Sequence, residues 1–168
     1  MAELIQIEEA PTRADTPQWS AFLELGFRPF YLGASSWAVL SILIWIYKAD
    51  WLNGVLPQAM WHAHEMLWGF VATVAVGFLL TAAGNWTGSN PLKGRALGAL
   101  FGLWIIARIG FLLPYPGAFE IAAISEVFFF TWAAWAIGKV IYQARSKRNY
   151  GVPVLVFLLG LLDAGYLV

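Results

Sequence analysis

The sequence predicts an all-α fold, a polytopic bundle of about five transmembrane helices. Two observations carry this. Hydrophobic residues make up 60% of the 168 residues and charged residues only 12%, about half the charged share that covers a soluble domain. The few charges also cluster in the N-terminal segment and in short connections, leaving apolar runs long enough to cross a bilayer.

The runs fall at about residues 29–47, 64–83, 97–113, 119–142 and 152–168. Helices are expected because lipid leaves exposed backbone groups unsatisfied, and a helix bonds its own. A β-barrel needs alternating segments, and the run from Ser41 to Ile46 does not alternate. Turn residues separate the runs: Asn53-Gly54 with Pro57, then Asn85 to Pro91, then Pro114 to Gly117, then the basic stretch Arg145 to Asn149. The third connection is so short that the third and fourth helices are expected to be antiparallel neighbours. Ten Trp are present, and Trp19, Trp37, Trp45, Trp51, Trp61 and Trp86 lie near the ends of these runs. That is where interfacial tryptophans collect.

Residues 1–26 are read as a polar tail before a membrane domain of residues 27–168. The tail lacks the basic start and apolar stretch of a secretory signal. Its end, residues 18–25, reads either as an interfacial stretch carrying Trp19, Phe22 and Leu23 or as a frayed end. The fifth run reaches Val168 without a polar cap, the pattern of a chain shortened relative to a longer parent. Arg13, Arg28, Lys93, Arg95, Lys139, Arg145, Lys147 and Arg148 fall on one side, and Lys48 alone on the other. The excess of positive charge puts the N-terminus in the cytoplasm and the C-terminus on the opposite side of the membrane.

Composition also excludes chemistry. With no Cys there is no disulfide and no thiolate metal site. A formal net charge of zero gives no footprint for nucleic acid. No nucleophile–base arrangement and no phosphate-binding glycine loop appears, so the sequence assigns no catalytic residue.

Both histidines lie in Trp61-His62-Ala63-His64-Glu65-Met66-Leu67-Trp68-Gly69-Phe70. Imidazole is the commonest metal ligand among side chains, and thioether favours soft metals. On a regular helix His62 and His64 diverge by about 200°, while His62, Glu65 and Met66 share a face. Either the turn is extended and both histidines converge, or the two serve different partners. The plainer reading makes both interfacial residues bonded to headgroups or water. Arg108, Glu126 and Asp163 lie at membrane depth, where charged groups face the bundle interior and pair. An Arg108–Glu126 bridge between adjacent helices is expected as a register device. The alternative roles are an anion contact for Arg108 and a proton path through Glu126. Asp163 is expected to find its partner outside this chain. Gly69, Thr73, Gly77, Thr81 and Gly84 form a stripe that admits a close helix or a flat cofactor.

Three stretches together resemble the NnrS family of bacterial membrane proteins. They are Leu25-Gly26-Phe27-Arg28-Pro29-Phe30-Tyr31-Leu32, the Trp61 to Phe70 stretch, and Gly77-Phe78-Leu79-Leu80-Thr81-Ala82-Ala83-Gly84-Asn85-Trp86-Thr87-Gly88. The basic turn from Arg145 to Tyr150 adds to the likeness, which runs from about Leu23 onward and matches only the N-terminal part of a typical member. The resemblance implies a membrane protein that binds haem or copper and acts in the nitric oxide response and denitrification, with nitric oxide as the expected ligand. It points to His62 and His64 as haem or metal ligands, with Met66 as a further metal ligand, and to Arg108 as a contact for a haem carboxylate. No third histidine exists, so a second axial ligand is expected from another copy or from missing helices. A cofactor-free scaffold or transport component, or a remnant of a longer protein, is the alternative.

Overall fold

The computed structural model describes residues 19–52 and 56–168, and these contain helices and no strand. Residues 1–18, most of the polar tail, lie outside the described residues, as does the Asn53-Gly54 turn. A single turn α1 (Trp19–Phe22) precedes α2 (Phe27–Tyr47). A short 3-10 turn Ala49–Trp51 leads to α3 (Gln58–His64), which continues without a break through a π-helical segment Glu65–Ala72 into α4 (Thr73–Thr87). Then come α5 (Gly94–Gly110), α6 (Ala118–Gln143), a 3-10 turn Lys147–Asn149 and α7 (Gly151–Tyr166).

Among the described residues, four helical stretches are long and apolar enough to cross a membrane: Phe27–Tyr47, Gln58–Thr87, Ala118–Gln143 and Lys147–Tyr166. Helix α5 has 17 residues, the short end of the roughly 17–25 that span a bilayer. The protein is therefore a multi-pass membrane protein built as a helical bundle. The second crossing starts earlier than the apolar run, because Pro57 opens a helix over residues 58–63. Proline is tolerated at a helix start, where its missing N–H has no partner to lose.

Helix α6 is the centre. It packs against α4, α5 and α7, and α2 packs against α4 and the π segment. Phe30, Leu80, Leu97, Leu100, Phe129 and Ile137 are fully buried between these helices. Phe30 meets Phe129 edge-on at 5.4 Å between ring centres. The small-residue stripe is filled by α2: a Cβ on Gly77 would stand 2.8 Å from the Cβ of Phe30, and Thr81 Oγ1 accepts a hydrogen bond from the Phe27 N–H at 3.1 Å. The stripe there is a helix-packing surface with no space for a flat ligand.

The tryptophans divide. Trp51 and Trp86 are exposed to the surroundings, as an interfacial belt requires, but Trp61 is buried and Trp37 is half-buried. The earlier start of α3 brings Trp61 inside the helical stretch, and Trp37 turns toward a polar interior. The segment before α2 is packed as well: the Leu23 carbonyl accepts a hydrogen bond from the Gly94 N–H at 2.7 Å, and Leu23 contacts the core.

Candidate metal centre at the convergence of five helices

Each of five helical stretches sends a polar side chain to one point. Trp37 comes from α2, His64 from α3 with Glu65 next to it, Arg108 from α5, Glu126 from α6 and Asp163 from α7. His64, Glu65, Arg108, Glu126 and Asp163 are all buried, at 0 or 1% exposure. In lipid such a group has no water to fall back on, so its partners decide whether the bundle tolerates it.

Glu65 is the hub. Its Oε1 lies 3.0 Å from His64 Nδ1, and its Oε2 accepts from Arg108 Nη1 at 2.7 Å and from Trp37 Nε1. Arg108 Nη2 donates to Glu126 Oε1. His64 Nε2 faces Asp163 Oδ1 at 2.8 Å and Glu126 Oε2 at 3.3 Å. Among the described residues, Glu126 Oε2, Asp163 Oδ2 and Arg108 Nε find no hydrogen-bond partner. His64, Glu126 and Asp163 each offer one ligand atom, and these atoms lie within 4.8 Å of one another, so the three could hold a metal ion.

The π segment helps build this arrangement. A π turn holds more residues than an α turn, and such segments recur at functional sites. Neighbours in sequence are then set at a narrower angle, which lets His64 and Glu65 both face inward at the junction. The Thr73 hydroxyl donates to the Trp68 carbonyl, five residues back, at 2.7 Å and bonds the end of the segment. Trp104 Nε1 donates to the Gly69 carbonyl at 3.3 Å within it.

The two histidines serve different surroundings. The regular helix Gln58–His64 turns them apart. The His62 ring stacks on Trp45 at 4.1 Å between centres and 7° between planes. Its Nδ1 is buried and has no hydrogen-bond partner among the described residues. Met66 is half-buried, one turn further along. His64 is enclosed instead, with Phe111 at 4.8 Å and Trp68 at 5.5 Å between ring centres. Both its ring nitrogens lie against carboxylates, so a haem finds neither a free nitrogen nor an open face there. Arg108 commits both terminal nitrogens to carboxylates of this chain, which leaves it no fork for a haem carboxylate.

Asp163 finds its partner within the chain after all, in His64. That pairing joins the second crossing to the fifth, and no local pattern announces it. Glu65 is equally hard to read. A helix starting at residue 64 would put it at the interface, whereas the start at Gln58 carries it about 10 Å inward, at roughly 1.5 Å per residue. Trp37 carries no sequence signal for a polar contact at all.

The helices that carry this centre all lie within residues 21–168, which match the family model described as NnrS protein. Neither the curated proteins nor the solved structures hold a match to the chain. Because the family match takes in every crossing and every residue of the buried centre, this multi-pass bundle belongs to the NnrS family.

Proposed function

We propose that the protein is a haem- or copper-binding membrane protein of the nitric oxide response, with His62 as the ligand this chain contributes. The observation that supports it is the buried Nδ1 of His62 beside Trp45, which has no hydrogen-bond partner among the described residues. Imidazole nitrogens bind both haem iron and copper, and a buried ring nitrogen without a partner is costly unless something ligates or protonates it. Met66, one turn away, offers a soft thioether for copper. When bound, haem or copper supplies a coordination position for nitric oxide. The chain's own part is to hold the imidazole flat against Trp45. His64 would not be a further ligand to such a group, since both of its ring nitrogens lie against carboxylates.

An optical spectrum and copper analysis of the detergent-purified protein test this. A Soret band or stoichiometric copper, lost in His62→Ala, is the expected result. A well-folded helical sample with neither would leave a cofactor-free scaffold as the reading.

The bundle sits in a bacterial inner membrane with its N-terminus in the cytoplasm. Lys93, Arg95, Arg145, Lys147 and Arg148 are exposed at one end of the bundle, and such clusters stay on the cytoplasmic side. The buried centre lies toward the other end. His64 is six residues from Gln58, Glu126 eight from Ala118, and Asp163 three from Tyr166. These are depths of about 4–12 Å from the periplasmic end at 1.5 Å per residue. The absence of Cys makes the check clean. In intact cells an impermeant thiol reagent is expected to label Lys48→Cys and to leave Lys93→Cys unlabelled. The reverse pattern would invert the topology.

A further inference from the structure

We propose that His64, Glu126 and Asp163 form a second, separate metal site, which takes a divalent first-row cation of the zinc type inside the membrane bundle. The first argument is the chemistry of the contact itself. Glu65 is gripped by Arg108 and Trp37 through Oε2, and its Oε1 lies 3.0 Å from His64 Nδ1, placed to accept a proton carried there. With the proton held on Nδ1, the Nε2 lone pair of neutral His64 points at Asp163 Oδ1 and Glu126 Oε2, 2.8 and 3.3 Å away. Three lone-pair donors then face one another with no hydrogen between them. A cation is the group such a contact is built for.

The second argument is charge. Three buried carboxylates against one guanidinium leave a net charge of −2 when His64 is neutral. A single proton on Nε2 reduces this to −1 and leaves Glu126 Oε2 and Asp163 Oδ2 without partners. A divalent cation brings the centre to zero. In a bilayer interior an unbalanced charge is costly, so neutrality weighs heavily.

The third argument is the surrounding support. Metal-ligating histidines generally pass their other ring N–H to a carboxylate, which fixes the tautomer and orients the ring. Glu65 does this for His64, and Arg108 and Trp37 hold Glu65 in turn. One imidazole and two carboxylates suit zinc, iron(II) or manganese(II) better than a soft copper(I). The buried Asp163 Oδ2 is available as a fourth donor. The site is independent of His62, which turns to α2 and Trp45.

The test is zinc binding to the purified full chain in detergent, after chelator treatment and re-addition of zinc. About one tightly held zinc per chain is expected, as for a single mononuclear site. The His62→Ala variant is expected to keep it. The double variant Glu126→Gln/Asp163→Asn is expected to lose it while keeping helicity, because Glu65 and Arg108 still balance each other. Glu65→Gln is expected to weaken zinc binding about 10–100-fold, the usual cost of losing a ligand's orienting partner. Cobalt(II) in place of zinc should show visible bands that disappear in the double variant. A folded wild-type chain that holds no stoichiometric zinc, cobalt, iron or manganese would overturn the site and leave protons to fill it. Metal retained in full by the double variant would overturn it equally. Loss of zinc with an intact Soret band or copper signal, or the reverse, separates this proposal from the one at His62.

Discussion

Arg108→Leu is expected to be among the most destabilising single substitutions in this protein. The guanidinium is buried and holds two carboxylates on two other helices, Glu65 through Nη1 at 2.7 Å and Glu126 through Nη2. Leucine fills much of the same volume and suits the bilayer, so lost packing contributes little. What remains is two carboxylates without their cation. Breaking one side of a buried ion pair costs about 3–5 kcal/mol, and Arg108 serves two partners at once. Arg108→Lys is expected to rescue only in part, because one ammonium does not reproduce a planar fork that reaches two carboxylates in different directions. The check is unfolding by a denaturing detergent, followed by helicity. Combining Arg108→Leu with Glu65→Gln and Glu126→Gln should restore much of the loss, since Asp163 is then the one carboxylate left in the centre and it keeps its His64 partner. A single variant that unfolds within about 0.5 kcal/mol of the parent, the range of an ordinary surface change, would mean that the centre does not hold the bundle together.

The crossings were legible because lipid imposes a simple rule of length and hydropathy. The expected run at 119–142 and the observed α6, Ala118–Gln143, nearly coincide. The ends that shifted are those where residues outside the apolar runs are helical. Residues 58–63 and 84–87 extend the second crossing to Gln58–Thr87, well past the apolar run at 64–83. The spacing of His62 and His64 shows that a regular helix separates them, and the short Pro114–Gly117 connection shows that α5 and α6 are neighbours, which is how Arg108 and Glu126 come within reach of each other. The remaining members of the centre depend on which helices touch across the bundle. His64 reaches Asp163 over 99 residues, and Trp37 reaches Glu65 over 28. Apolar helices look alike from every side to a hydropathy reading, so the order of helices around α6 is not written in any local pattern. The π segment is hidden for a related reason. Glu65–Ala72 has an ordinary helical composition, and its register is set by what it packs against.

Gly69→Ala is the second large effect expected, and it isolates geometry from charge because it changes none. Gly69 sits inside the π segment, one turn beyond Glu65. A Cβ there would stand 2.5 Å from Arg108 Nη1, 2.8 Å from Glu65 Oε2 and 3.3 Å from Trp37 Cδ1. A flexible side-chain end normally moves aside from such a contact. Here it does not have that freedom, because Arg108 is pinned by two carboxylates and Glu65 by three donors. The methyl group therefore displaces the guanidinium from Glu65. Overpacking costs about 1–3 kcal/mol, and a weakened buried ion pair adds to it. The intrinsic preference of a helix for alanine over glycine, about 1 kcal/mol, opposes the loss but is smaller. Gly102→Ala provides the control. It lies in α5 with nothing within 4 Å of the added Cβ, so only the helix preference acts, and it is expected to be neutral or slightly stabilising. Detergent unfolding of the two variants side by side decides the matter. If Gly69→Ala tracked Gly102→Ala, the contact between Arg108 and Glu65 would be loose enough to accommodate a methyl group, and the same looseness would weaken the case for a preorganised metal site at His64.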